Sequence, residues 1–169
     1  MTELQYPVGP FTVEPEPSAA RVQEWIAEVA ALPAALRQAA AALPSGGLDR
    51  PYRPGGWTGR QVVHHVADSH VNCYIRYRWA LTEDNPVIKA YAEELWAELP
   101  DARTADIEVS LRLLDAIHQR WVLLMRTMTP EQWKKNFIHP VLGARDLVTT
   151  LQLYAWHGRH HVAHLGLIR

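Results

Sequence analysis

A chain of 169 residues that is 48% hydrophobic and 21% charged fits one domain with a substantial core, which excludes intrinsic disorder and leaves no room for a second independent domain, so residues 1–169 are read as a single unit. Its formal charge of −1, with 17 basic residues scattered rather than clustered, lacks the basic stripe of a nucleic-acid binder. With no basic-then-apolar leader at the start and no run of about 18 apolar residues, the expectation is a cytoplasmic protein without a membrane partner.

The first 17 residues hold Pro7, Pro10, Pro15 and Pro17 and predict an extended lead-in. The Ala-rich stretch from Ser18 to Pro44 has helical spacing, and Pro33 is expected to kink or split it. A Gly/Pro-dense loop, SGGLDRPYRPGG, precedes Trp57 and Thr58, and Thr58 is an N-cap for a long helix reaching to about Leu81. Residues Asn85 to Asp101 read as a loop with a short helix over Ala92–Ala97. Thr104 or Asp106 starts a third long helix, TPEQW reads as a capped short one, and HPVLGA is a connector. Asp146 then caps the last helix, LVTTLQLYAWHGRHHVAHLGLI. No alternating apolar pattern demands a sheet, so the expected fold is all-α: a four-helix bundle with long crossover connections. The lone cysteine, Cys73, is expected to pack as a small hydrophobe.

Four histidines crowd the last helix. At about 100° per residue, with His157 at zero, His160 falls near −60°, His161 near +40° and His164 near −20°. They form one stripe with two pairs at four-residue spacing, His157 with His161 and His160 with His164, and either pair suits one metal ion. The second long helix carries a matching stripe of His65, Asp68, Ser69, Asn72 and Arg76. Polar groups inside a bundle are costly unless they pair, bind an ion or line a wet pocket. One histidine from this helix and two from the last make a three-nitrogen site with an open position, as in catalytic zinc centres. His64 and His70 point away from that stripe, and His118 and His139 stand alone without assigned chemistry.

The segments YRPGGWTGRQVVHHVADSH, IRYRWALTEDNPVIKAY and HPVLGARDLVTTLQLYAWHGRHHVAH resemble the YfiT branch of the DinB-like four-helix metalloproteins. The likeness covers most of the chain from Tyr52 onward. In that family a histidine eight residues after a Trp opening the second helix joins an HxxxH pair on the last helix. The resemblance implies His65, His160 and His164 as ligands, and it makes a choice between the two pairs that the helical geometry leaves open. It also implies one divalent ion per chain, zinc or nickel, and a homodimer. Two departures from the family pattern, Leu165-Gly166-Leu167 where an Arg-Gly-Gln run is common and an end at Arg169, fall on the outer wall of the site.

Bound water on such an ion is acidic enough to attack an ester or amide, which reads as a metal-dependent hydrolase acting on a small-molecule substrate. The same ion can instead deprotonate a low-molecular-weight thiol, and the resemblance implies bacillithiol-type S-transfer as the competing reaction. A non-catalytic metal-binding dimer is the third reading. An HExxH protease is disfavoured, because HHVAH holds no glutamate. Asp68 and His161 are the candidates for proton handling, Asp68 lying one turn from His65 and His161 beside the expected ligands. Simple hydrogen bonding or packing is the alternative for both, and for His157. Seven tryptophans are expected to fill helix interfaces, with Trp57 anchoring its loop. Arg76 and Arg78 read as solvated helix-flank residues, the alternative being contact with a carboxylate of substrate or thiol.

Overall fold

A computed structural model describes residues 4–169, so the first three residues of the expected lead-in lie outside the described ones. Four long helices form the bundle: α1 (Ala19–Ala41), α2 (Gly59–Thr82), α5 (Ile107–Arg126) and α7 (Leu147–Gly166). Short helices α3 (Glu93–Ala97), α4 (Pro100–Thr104) and α6 (Pro130–Trp133) lie in the connections. α1 packs on α7 and α5, and α2 packs on α5 and α7. The consecutive helices α1 and α2 are therefore diagonal across the bundle, and the 42–58 segment, containing a 3₁₀ turn at Gly47–Asp49, crosses between them.

Side-chain chemistry sets the helix starts. Ser18 accepts from the Arg21 amide, and Thr58 and Gln61 form a reciprocal capping box. Between the two residues considered for the third long helix, Asp106 is the cap, accepting from Glu108 N; Thr104 closes α4 instead. Pro33 does not split α1, which runs through it unbroken. The hydrogen bond its missing N–H would have made to the Val29 carbonyl is replaced from another helix, as described below.

HPVLGA, read as a plain connector, is part of a hairpin of β1 (Asn136–His139) and β2 (Gly143–Asp146) turning at Gly143, whose φ of +73° suits a residue without Cβ. Strands of four residues are too short to show alternation in sequence. Asp146 ends β2 and also caps α7, its Oδ1 accepting from Thr149 N at 2.6 Å. The N-terminal lead-in lies along α7: Glu14 and Gln152 exchange two hydrogen bonds of 2.8 and 3.1 Å, and Trp156 Nε1 donates to the Gly9 carbonyl.

The core has two apolar layers. One holds Val22 to Val29 of α1, Cys73 to Ala80 of α2, Trp121 to Met125 of α5 and Leu147 to Ala155 of α7. The other holds Leu32 to Ala40, Val62 to Ala67, Leu111 and Leu114, and Leu165 with Ile168. All four helices leave one layer for the other at the level where the buried histidines lie, so a sheet of imidazoles divides the core. No helix among the described residues is long and apolar enough to cross a membrane. Leu114, fully buried, is expected to cost about 2–5 kcal/mol on change to Ala, read as the midpoint shift in urea unfolding.

Candidate metal centre

α2 and α7 pack side by side, and their polar stripes meet. His65 Nε2 lies 3.3 Å from His157 Nε2, and one ring nitrogen each of His65, His157 and His161 lie within 4.8 Å of one another. A second group, His160, His161 and His164, meets the same limit. Among the described residues the expected set His65, His160 and His164 does not come together in this way.

Hydrogen bonding distinguishes the two groups. A carbonyl oxygen only accepts, so the contact of His118 Nδ1 with Val29 O at 2.6 Å puts the His118 proton on Nδ1 and leaves its Nε2 as an acceptor. His70 Nδ1 donates to that Nε2 at 2.9 Å, and His157 Nδ1 donates to His70 Nε2 at 3.2 Å. The chain of single protons ends with an unprotonated His157 Nε2, whose lone pair faces His65 Nε2 at 3.3 Å. It begins at the carbonyl that Pro33 leaves free in α1, because a residue with an N–H at that position would have claimed it.

A second relay runs in parallel. His164 Nε2 meets Gln5 O at 3.3 Å, which makes His164 Nδ1 the acceptor for His161 Nδ1, also at 3.3 Å. His161 Nε2 is thereby left unprotonated. Both nitrogens of His164 are occupied in this relay, and the His160 ring is held between Trp156 at 4.5 Å and Tyr6 at 5.8 Å. The expected ligands His65, His160 and His164 are thus divided between the two groups, His65 standing with His157 and His161, and His160 and His164 standing with His161. His160 Nδ1 is buried without a partner.

The residues fit a divalent ion. Two nitrogens each about 2.0–2.1 Å from a tetrahedral zinc stand about 3.3–3.4 Å apart, and the His65–His157 pair has that separation. The donors are also in the right protonation state. Burial first, then neighbouring His160 and His164, lowers the His65 pKa to about 4, and burial holds His157 and His161 well below the ordinary range. The rings are neutral at pH 7, as metal ligation requires.

The histidines line a cleft of about 720 Å³ shared with Tyr52, Arg53, Trp57 and the carboxylates of Glu93 and Glu94 in α3 and Glu98 just after it. Trp57, expected only to anchor its loop, packs its ring 4.6 Å from that of His65, and Tyr52 stacks on His164 at 3.9 Å. Asp68 is half-buried with its carboxyl raised to about 6 by desolvation, and Asp101 adds to the shift. It lies outside the walls of this cleft, and no hydrogen bond among the described residues joins it to an imidazole. His64 is held by Ser110 and the Ala105 carbonyl, away from the cluster, as its angle on the helix implied. His70 and His118, given no chemistry from sequence, are links of the first relay. The only local signal for them is Pro33, four residues after the carbonyl it frees.

The family model of the DinB superfamily matches residues 28–165. A Bacillus cereus (strain B4264) protein named "Putative metal-dependent hydrolase" is 50% identical over 169 residues, spanning 100% of this chain and 97% of its own. One of the same name from Bacillus mycoides is 49% identical over the same spans. YfiT from Bacillus subtilis, described as "a probable metal-dependent hydrolase with an unusual four-helix bundle topology", superposes with a TM-score of 0.94 at 45% identity, over 98% of this chain and 95% of that one. A mycothiol-dependent maleylpyruvate isomerase shares the fold at a TM-score of 0.68 and 16% identity, over 86% of this chain and 60% of its own.

Nitrogen-15 correlation spectra of the imidazoles are expected to show His118, His70 and His157 all protonated on Nδ1; an Nε2–H form of any one would break the relay. Acid will also destabilise the metal-free protein. His65 and His118 stay neutral in the fold down to about 4, whereas the unfolded chain takes up protons below about 6.5. Folding stability is thus intact above about 6.5 and declines as pH falls towards about 4, read by the thermal midpoint at each pH.

Proposed function

We propose that this chain, which belongs to the DinB superfamily, is a metal-dependent hydrolase whose single divalent ion is held by His65, His157 and His161. The observation that carries this reading is the pair of relays, each anchored on a backbone carbonyl, that leave unprotonated Nε2 atoms on His157 and His161 beside His65. Imidazole donors suit zinc or nickel. When bound, such an ion supplies a water that ionises near neutral pH.

The protein's own groups do the rest. His70 and His164 hold the two α7 rings in one tautomer and orientation, which makes them better donors. Trp57 and Tyr52 close the apolar side of the cleft and exclude bulk water. Glu93, in the cleft wall with its carboxyl pKa raised by partial burial and by Glu94, is the base for proton transfer between water and leaving group. Sequence reading found no glutamate in the HxxxH segment; this one comes from the 83–106 connection. A cleft of this size takes a small-molecule substrate.

Metal analysis of purified protein is expected to give about one zinc or nickel per chain. His65→Ala, His157→Ala and His161→Ala should each lose most of it, and His164→Ala should weaken affinity about 10–100-fold by loss of the supporting bond. Full metal in His157→Ala alongside loss in His160→Ala would return the site to the other pair. Hydrolysis of activated esters and amides by the loaded protein should proceed without thiol. Turnover only with added bacillithiol, mycothiol or glutathione would assign the site to S-transfer instead.

A further inference from the structure

On the inward stripe of α2, about two turns past Ser69, Arg76 is 8% exposed. Among the described residues nothing forms an ion pair or hydrogen bond with its guanidinium. This is not the solvated flank that the sequence suggested; that description suits Arg78, which is exposed and reaches the Tyr74 hydroxyl at 3.2 Å. The guanidinium attracts the Glu93 carboxylate across space, opposing the rise that burial causes in its pKa, but with no direct partner its own hydrogen bonds are left unmade, a costly state for a buried charge. Its position decides what compensates it. Arg76 lines a cavity of about 870 Å³ whose other walls include Phe11, Phe137, Leu153 and His139.

His139 adds a second donor. Its Nδ1 accepts the backbone N–H groups of Val141 and Leu142, both at 3.2 Å, which places its proton on Nε2, where no partner is bound among the described residues. Arg145 also lines the cavity, and Glu93 and Glu94 stand in the wall opposing these positive groups. With two guanidinium groups and two carboxylates in the lining, a monoanion seated at Arg76 meets less repulsion from the glutamates than a dianion does. The remaining lining is mostly apolar. His157 and the Glu93–Leu95 segment belong to the walls of both this cavity and the histidine cleft, so one small molecule can touch both.

We propose that this cavity is a subsite for an apolar small molecule bearing one carboxylate, with Arg76 as the counter-ion and His139 Nε2–H as a second donor. The planar guanidinium offers a carboxylate two parallel hydrogen bonds, which a buried and otherwise unpartnered group retains at full strength. The anchored end then directs the rest of the molecule past His157 to the proposed ion. That last clause rests on the hydrolase reading; the subsite itself does not.

The test uses 4-phenylbutyrate, with 4-phenylbutanol and phenyl phosphate as comparators, titrated calorimetrically into full-length protein in metal-free and zinc-loaded forms. Phenylbutyrate is expected to bind both forms, at least about tenfold more tightly than either comparator. Arg76→Met should lose at least about tenfold in that affinity while remaining folded, as read from its ligand-free thermal unfolding. Arg76→Gln carries the same affinity test if the Met variant does not fold. Equal affinity of the parent and the variants, absence of phenylbutyrate binding, or preference for the phosphate would each overturn the subsite. Carboxylate binding without hydrolysis by the loaded protein would defeat the hydrolase reading and leave the subsite standing. Metal retention and hydrolysis without carboxylate binding would do the reverse.

Discussion

A backbone carbonyl can accept a hydrogen bond but never donate one, and the candidate centre depends on this asymmetry. Pro33 removes one N–H from α1, and the Val29 carbonyl it would have bonded becomes a fixed acceptor inside the bundle. His118 answers it, and three imidazoles in series then have no freedom in where their protons lie. A proline that would ordinarily weaken a helix here transmits chemical order across three helices to a ring on the fourth. The second relay reaches the same end from Gln5, outside the bundle proper.

Placing a layer of imidazoles between two apolar layers has a clear energetic character. Each ring buried in its charged form would be strongly unfavourable, so the low pKa values and the mutual hydrogen bonds arise together from burial. The apolar layers on either side supply the packing that holds the bundle closed, and they also define where the rings sit along each helix axis. At Gly158, a Cβ would meet Leu32 Cδ2 at 2.8 Å, so α7 approaches α1 closely next to His157. That contact fixes the height of the α7 histidines against the helix that carries Val29.

Much of this was legible in the sequence. The four long helices, the caps Thr58, Asp106 and Asp146, and the two polar stripes follow from spacing and side-chain chemistry, which act locally. The choice between the two HxxxH pairs did not, because four rings within an arc of about 100° are distinguished only by what stands behind each of them. For His157 that is a histidine on another helix, and for His161 it is a neighbour tied to the N-terminal lead-in. His118 looked isolated for the same reason: its partners are distant in sequence. Arg76 lay on the correctly identified stripe, yet its burial depends on the 83–106 connection and the hairpin, whose packing no periodicity encodes. The hairpin itself pairs strands of four residues, below the length at which alternation can be read.

The two relays differ in what anchors them. One ends inside α1, at a helix held by the whole core; the other ends at Gln5, in a turn of the lead-in that lies along α7 and is tied down by a few contacts such as Trp156 to Gly9. By thermodynamic reciprocity, an ion that prefers the Nε2 lone pair of His161 must strengthen the attachment of that segment, and whatever detaches the segment must weaken the ion's hold by an equal free energy. The turn that carries Gln5 is thus coupled to the occupancy of a centre built by helices far later in the sequence.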